Sequence, residues 1–134
     1  MDKWIASVLV AGSLCIGGQA LAAEWVPIKK EDVTVREVDS ASITKNGPVV
    51  TFTARHTFED RNEYKVGRRP ARYLLIVSRA NCGFRTLAQL ATEAYDENMV
   101  LISKQKIQMP QDVPVTRDSI DEGAFNYVCG KTKP

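Results

Sequence analysis

The chain has 134 residues, of which 44% are hydrophobic and 25% charged, and its formal net charge is +2 at pH 7. This length suits one domain with a modest core and excludes a large multidomain protein. Because the net charge is small, the composition gives no reason to expect binding to nucleic acid or to a membrane surface.

Residues 1–23 have the layout of a secretory signal peptide. A short head with one lysine is followed by an almost wholly apolar run at residues 5–16 and then by small residues up to Ala23. The apolar run is shorter than the roughly 20 residues that a membrane span requires. We therefore expect residues 1–23 to be removed on export, with cleavage after Ala22 as the alternative, and residues 24–134 to form the domain.

Cys15 lies within that leader, and Leu14 before it is not the small residue that lipid attachment requires. We therefore expect a mature chain without a lipid anchor, and its later apolar runs are too short to cross a bilayer. Two cysteines remain, Cys82 and Cys129. In an oxidising compartment they most simply form one disulfide, and two separate thiols are the alternative.

The first part of the mature chain predicts three strands. Residues 25–28 are short and apolar, and the proline at position 27 suits a first or edge strand. Residues 33–38 alternate and are β-branched, which predicts the second strand. Residues 39–48 are predicted to be a connection, because they combine capping side chains with an Asn-Gly turn. Residues 49–58 alternate again, and the face predicted to be buried carries Val50, Phe52, Ala54, His56 and Phe58.

The middle of the chain is less regular. Residues 59–70 are polar and highly charged and are predicted to be a loop. Residues 71–79 are apolar on both faces, so we expect them to form a central strand. For residues 84–95, the apolar spacing favours a helix. A turn at 96–99, followed by the strand-like residues 100–102, favours a strand hairpin instead.

The C-terminal part predicts one helix. Residues 109–117 contain two prolines and are predicted to be an extended connection. Residues 118–130 follow, with Asp118 or Ser119 as the N-cap and Gly130 at the end. Strands followed by one terminal helix indicate an α+β domain in which the helix packs on one face of the sheet. The predicted buried face of this helix consists of Ile120, Ala124, Tyr127 and Val128.

The sequence has no pattern typical of an enzyme. It lacks the nucleophile elbow, the zinc-protease helix motif and a phosphate-binding glycine loop, and its two mature cysteines do not form a C-x-x-C pair. We therefore predict a non-enzymatic protein without a cofactor. The one histidine, His56, has no second histidine or cysteine pair at ligand spacing, which argues against a structural zinc site. The simpler interpretation of His56 is a histidine near the end of a strand face that is satisfied by a backbone or water partner, and a haem or metal ligand is the alternative.

A basic cluster lies between the predicted strands at residues 49–58 and 71–79. Arginine dominates it, and the arginine fork suits carboxylate, phosphate or sulfate groups. The simpler interpretation is a solvated loop, because Glu59, Asp60 and Glu63 lie in the same segment. The functional hypothesis is a contact for a protein partner, made by Arg61, Lys65, Arg68, Arg69 and Arg72.

Several short motifs occur along the chain in a characteristic order. They are Trp25-x-x-Ile28, Val38-Asp39-x-x-Ser42-Ile43, Gly47-Pro48-Val49 before a strand with Phe52 and Arg55, Asn81-Cys82, Tyr95-Asp96 and Val128-Cys129-Gly130. In this order, and with this placement of the cysteines, the chain resembles the bacterial surface-adhesin protein E-like domain family. The resemblance covers nearly all of residues 24–134.

The resemblance implies a single antiparallel sheet, a meander of about six strands, with a C-terminal helix tied to it by a disulfide between Cys82 and Cys129. It also implies a strand at residues 84–95, and that is our prediction. The founding member of the family is an outer-membrane lipoprotein that attaches bacteria to host matrix proteins, assembles as a dimer and is linked to haem. Since this sequence has no lipid-attachment cysteine, the resemblance does not by itself place it at the cell surface.

Two functional hypotheses follow. The first is an exported, non-enzymatic binding module of a Gram-negative cell envelope, periplasmic or at the cell surface, which contacts a protein partner, with a homodimer as a further option. The second is a periplasmic carrier of a small ligand such as haem, with His56 as the axial ligand. Neither hypothesis involves nucleic acid or a membrane span in the mature chain.

Overall fold

The computed structural model describes residues 22–130. The predicted signal peptide lies almost entirely outside these described residues, and so does the end of the predicted domain, at 131–134. Removal of the leader and the position of its cleavage site therefore stay predictions.

Nine strands and one helix make up the described part of the chain. In chain order they are β1 (Trp25–Lys30), β2 (Val33–Asn46), β3 (Val49–Thr57), β4 (Lys65–Val66), β5 (Arg69–Pro70), β6 (Tyr73–Asn81), β7 (Thr86–Tyr95), β8 (Leu101–Lys106), β9 (Val113–Pro114) and α1 (Ile120–Cys129). The main sheet is antiparallel with the strand order β1-β2-β3-β6-β7-β8, and β9 pairs with β7. Strands β4 and β5 form a separate hairpin. The predicted α+β meander with one C-terminal helix is confirmed.

The sheet order agrees with the predicted positions of the strands. β1, which contains Pro27, lies at an edge of the sheet, and β6 lies near its centre. On β3, the predicted buried side chains Val50, Phe52 and Ala54 are each 2% exposed. His56 lies further along the same face and is only half-buried. The core therefore forms between this face of the sheet and α1.

The second strand is longer than predicted. β2 continues through most of the predicted connection at 39–48 and ends in a tight turn, where Gly47 has a φ of 64°. A positive φ is required at the first central position of such a turn, and glycine adopts it without strain. The pairing of β2 with β3 is irregular between Asp39 and Thr44. The strand continues through this region because side-chain hydrogen bonds take the place of the missing ladder bonds. The Ser42 hydroxyl donates to the Asp39 carbonyl oxygen at 2.7 Å and accepts from the Thr53 N–H at 2.8 Å.

Residues 86–95 form strand β7, which confirms the prediction taken from the family resemblance. The alternative prediction of a helix, which the apolar spacing favours, is wrong. The spacing misleads because the register between β7 and β6 skips Leu90, while Gln89 and Ala91 pair with consecutive residues of β6. Such a bulge shifts the alternation by one residue. The apolar positions of β7 then come close to a helical period.

Both ends of α1 follow from local sequence signals. The helix begins after Ser119, whose hydroxyl accepts a hydrogen bond from the Glu122 N–H at 3.2 Å. Of the two predicted N-caps, Ser119 is therefore the one used. Gly130 ends the helix in the left-handed conformation with a φ of 72°, as predicted.

The buried face of α1 differs in part from the prediction. Ala124 and Val128 are buried as predicted, each 1% exposed. Phe125 is fully buried although it was not predicted, whereas Ile120 is 40% exposed and Tyr127 is half-buried. The helix is turned about its axis relative to the expectation, so that the Phe125 ring fills the space above the sheet.

The helix is fixed to the sheet near both ends. Near its C-terminus, the predicted disulfide between Cys82 and Cys129 is confirmed, with the two Cα atoms 5.7 Å apart. Near its N-terminus, Asp121 on the helix pairs with Arg36 on β2, and Oδ1 lies 2.6 Å from Nη1. The position of α1 therefore depends on a covalent bond and an ion pair as well as on packing.

Removal of the disulfide should lower the free energy of unfolding by an amount that depends on the length of the loop it closes. The cross-link spans 47 residues, and the chain-entropy model gives about 4 kcal/mol for a loop of this length. We expect the variant C82A/C129A to lose about 2–4 kcal/mol of unfolding free energy, measured by urea denaturation. The wild-type protein under reducing conditions is the control and should behave like the variant. Unchanged urea midpoints in both cases would contradict the prediction.

Gly123 allows α1 to approach β1 closely. A Cβ atom at this position would lie 2.6 Å from Cγ2 of Ile28, which is stiff at χ1 and 8% exposed. Helix propensity alone predicts that G123A stabilises the protein by about 1 kcal/mol. Overpacking costs about 1–3 kcal/mol, so we expect a net loss of up to about 2 kcal/mol in urea or thermal unfolding.

The variant I28A serves as the control for this prediction, because it removes the atom that the new methyl group would meet. In the I28A background, G123A should be neutral or stabilising. If G123A stabilises the otherwise unchanged protein, the close approach does not constrain the helix.

Candidate functional site

The connection between β3 and β6 carries the predicted basic cluster. It contains the short hairpin β4–β5 instead of an irregular loop. The turn of this hairpin consists of the two residues between Val66 and Arg69, and the first of them, Gly67, has a φ of 64°. This conformation favours glycine. Arg68 is the second turn residue, so it lies at the tip of the hairpin.

Backbone hydrogen bonds and an aromatic stack hold this connection against the main sheet. The Phe58 N–H donates to the Arg72 carbonyl oxygen at 2.8 Å, and the Ala71 N–H donates to the Tyr64 carbonyl oxygen at 2.9 Å. The rings of Phe58 and Tyr64 stack with their centroids 5.2 Å apart, and Ala71 is 2% exposed. These anchors do not involve charged side chains, although the Arg72 guanidinium also donates to the Phe58 carbonyl oxygen at 3.4 Å.

Four arginines of the predicted cluster border one cavity of about 250 Å³, which we call the arginine pocket. The turn between β7 and β8 supplies three further lining residues. Lys65, the fifth predicted residue, lies on β4 and does not border the cavity. The lining consists of Phe58, Arg61, Arg68, Arg69, Pro70, Ala71, Arg72, Asp96, Glu97 and Asn98.

The arginines differ in how their charge is compensated. Arg69 lies 3.4 Å from the Asp96 carboxylate, and Arg72 lies 3.9 Å from the carboxylate of Glu59, which is 85% exposed. Within residues 22–130, Arg61 and Arg68 take part in no ion pair. The pocket therefore presents two guanidinium groups that are available to an external carboxylate, phosphate or sulfate group.

Asp96 organises the turn between β7 and β8. Its Oδ1 accepts hydrogen bonds from the N–H groups of Asn98 and Val100, both at 2.9 Å. The Val100 N–H has the largest effect and lowers the pKa of the Asp96 carboxyl below its ordinary value; Asn98 and Arg69 act in the same direction, and partial burial opposes them. Asp96 is therefore a carboxylate at neutral pH, and it compensates part of the charge of the arginine pocket.

His56, the residue behind the haem hypothesis, lies near the end of β3 opposite Leu74. Its ring centroid is 4.7 Å from that of Phe58. Its Nδ1 atom is buried and has no hydrogen-bond partner in the described part of the chain. His56 borders neither the arginine pocket nor the larger cleft beside α1. Its surroundings are those of a half-buried strand residue.

Phe58 and the Asp96–Asn98 turn belong to the site, although the sequence does not indicate that they do. The turn itself is visible in the sequence as a hairpin tip at residues 96–99. Its proximity to the arginines depends on the register of β6 against β7, in which Tyr73 pairs with Tyr95. This register follows from the whole ladder, so no local signal could have placed the turn beside the basic cluster.

Neither a candidate membrane helix nor a candidate metal-binding cluster is found among the described residues. No helix within residues 22–130 combines the length and the apolar character that a membrane span requires. The same part of the chain contains no group of three or more His, Cys, Asp or Glu side chains that could hold a metal ion.

Comparison with known proteins identifies a family and a fold. The family model described as "Surface-adhesin protein E" matches residues 25–130. The crystal form II structure of Haemophilus influenzae protein E is similar, with a TM-score of 0.61 and 20% identity over 84% of this chain and 95% of that chain. Protein E from non-typeable Haemophilus influenzae is similar with a TM-score of 0.58 and 21% identity, over 84% of this chain and 82% of that chain. A comparison with curated protein sequences finds no match.

The lowered pKa of Asp96 predicts a pH dependence with a definite sign. A carboxyl whose folded-state pKa lies below the ordinary value of 3.8 stabilises the fold fully well above that pH, and the stabilisation is lost as the pH falls through the folded-state pKa. The variant D96N should therefore be less stable than wild type at neutral pH. The difference should shrink on acidification, as measured by urea midpoints from about pH 7 down to about pH 2.5.

The variant E97Q is the matched control, since it removes a neighbouring carboxylate of the same pocket that takes part in no ion pair within the described residues. We expect its pH dependence to follow that of wild type. A carboxyl NMR titration that puts the pKa of Asp96 at or above 3.8 would contradict the prediction.

Proposed function

The chain belongs to the surface-adhesin protein E family, and we propose that it is an exported, non-enzymatic binding module of the bacterial cell envelope that contacts another protein. The match over residues 25–130 supports the general class. The signal-peptide layout of residues 1–23 supports export. We propose the periplasm or the surface of a Gram-negative cell as its location.

The observation that carries this proposal is the convergence of four arginines on one pocket. Arg61 precedes the β4–β5 hairpin, Arg68 is at its tip, Arg69 lies on β5, and Arg72 follows the hairpin. These four side chains come from one anchored segment and line a common cavity. Not all of them form ion pairs within the described residues. A surface with positive charge in excess of its own carboxylates attracts an acidic partner and speeds its association.

The size of the arginine pocket favours a protein side chain as its occupant. Its volume of about 250 Å³ lies below the range of about 300–1,000 Å³ that is typical of small-molecule sites. A glutamate or aspartate of a partner can enter it and accept paired hydrogen bonds from Arg61 or Arg68. Phe58 and Pro70 provide apolar lining for the methylene part of such a side chain.

The haem hypothesis receives no comparable support. It requires space beside His56, and His56 borders neither the arginine pocket nor the cleft beside α1. The edge-to-face contact of His56 with Phe58, with ring centroids 4.7 Å apart, also gives the His56 ring a structural role. The contact with a protein partner is therefore the one function that we propose for this region.

The test uses two labelled ten-residue peptides, one rich in glutamate and one in which glutamine replaces every glutamate. We expect the glutamate peptide alone to bind in fluorescence anisotropy, with an affinity that falls as salt is added. The variant R61E/R68E should weaken its binding at least about tenfold, because two attractive charges become repulsive. Neither arginine has an ion pair within the described residues, so the fold should be preserved.

The variant K106E/R117E is the matched control, with the same change of charge at two exposed positions outside the pocket. Its affinity for the glutamate peptide should stay within about twofold of wild type. Light scattering on each variant separates peptide binding from self-association. If both peptides bind equally, or if both variants weaken binding alike, the arginine pocket is not the contact.

A further inference from the structure

A cleft larger than the arginine pocket lies away from it, on the face of the sheet that carries α1. Its volume is about 440 Å³, within the range of about 300–1,000 Å³ that is typical of small-molecule sites. The sheet, the helix and residues 107–115 all contribute to its lining. We call it the apolar cleft, and its main lining residues are Phe52, Ile76, Ser78, Gln89, Met109 and Ala124.

Residues 107–115 form a wall of the apolar cleft that is anchored to the sheet. The Ile107 N–H donates to the Leu90 carbonyl oxygen at 2.9 Å. Leu90 is the bulge residue of β7 that has no partner on β6. Further along, β9 pairs with β7, and Asp112 lies 3.1 Å from Arg79. The wall is therefore fixed at its start, its middle and its end, and the cleft exists before any ligand arrives.

The floor of the apolar cleft combines apolar side chains with one hydroxyl group. Phe52 and Ala54 are each 2% exposed and Ile76 is 5% exposed. Ser78 lies among them on β6, opposite Phe52, and at 7% exposure it is the buried polar residue of the described chain. A hydroxyl both donates and accepts. An apolar floor with a single hydroxyl suits a mainly apolar ligand that has one hydrogen-bonding group.

The charges at the apolar cleft cancel one another. Arg36 and Asp121 both border it, and their ion pair of 2.6 Å joins β2 to α1. The Arg36 Nε atom is buried and has no hydrogen-bond partner within residues 22–130. Since no net charge faces the space, an ionic ligand gains nothing that would offset the loss of its hydration. The lining therefore favours an uncharged occupant.

The rim of the apolar cleft exposes large apolar side chains. Met109 is 81% exposed and Val113 is 56% exposed, and both belong to the wall segment. A bound apolar molecule would cover part of this surface and so gain hydrophobic free energy. Methionine at a rim is also well suited to ligands of varied shape, because its side chain is flexible and polarizable.

We infer that the apolar cleft is a second binding site, for an uncharged and mainly apolar small molecule with one hydrogen-bonding group that meets Ser78. The apolar cleft and the arginine pocket share no lining residue. The inference therefore does not rest on the proposed function, and either can fail without the other.

The test titrates the purified protein with N-phenyl-naphthylamine, an uncharged apolar fluorophore with one N–H group. We expect a saturable rise in fluorescence with one site per chain. The variant Q89W narrows the opening at an exposed lining residue, and M109E places a charge at the rim. Each should weaken binding about tenfold, which corresponds to about 1.4 kcal/mol. Because both positions are exposed, at least one variant should keep the wild-type thermal transition.

The variant M99E is the matched control, because Met99 is also exposed but lies outside the cleft; its affinity should equal that of wild type, and so should that of R61E/R68E. Dodecanol should displace the fluorophore at a lower concentration than dodecanoate does. Absence of saturable binding to the folded protein would overturn the inference. Wild-type affinity in both Q89W and M109E, or stronger competition by dodecanoate, would also overturn it.

Discussion

The attachment of α1 at both of its ends is the constraint on which the rest of the structure depends. The disulfide Cys82–Cys129 fixes the last turn of the helix to the end of β6. At the first turn, Asp121 pairs with Arg36 and Glu122 pairs with Arg85, at 2.6 and 3.1 Å. Between these points Phe125 and Val128 fill the core. A domain of this size has a small core, so a helix held only by packing would be weakly attached.

The position of the helix also decides which part of the sheet stays uncovered. α1 packs across β1, β2, β3 and β6, whereas residues 107–115 run along the edge of β7, where β9 pairs with it. The helix and this segment thus border a space over Phe52, Ile76 and Ser78. The apolar cleft is a consequence of how the sheet is covered. Its shape is therefore as stable as the two attachments that define it.

Local signals made much of the fold predictable. The alternation of residues 49–58, the cap at Ser119 and the glycine at position 130 each indicate a structure through interactions within a few residues. Long-range register was not predictable in this way. The bulge at Leu90 gave the apolar residues of β7 a spacing close to that of a helix. The register of β6 against β7 also brings the Asp96 turn to the arginines. The apolar cleft was missed because prolines in residues 109–117 indicate an extended chain without indicating which strand it pairs with.

Some residues of the family resemblance acquire a physical meaning only in three dimensions. Trp25 and Arg55 lie 30 positions apart in the sequence, yet the Arg55 guanidinium is 4.3 Å from the centroid of the Trp25 ring. Arg55 also lies 2.8 Å from Glu37. This group ties β1, β2 and β3 together on the face opposite α1. The motif residues that carry the resemblance therefore report the architecture of the sheet, and they say little about what the protein binds.

The arginine pocket, in contrast, is built on a segment that the sheet does not need. The meander would be complete with a short connection from β3 to β6, which pair along their whole length. Instead the connection adds the β4–β5 hairpin and holds it with the Phe58–Tyr64 stack and backbone hydrogen bonds. Because these anchors do not involve the arginine side chains of the tip, the charges there can change with little cost to the fold. Such separation of anchoring from contact residues is what a binding loop on a shared scaffold requires.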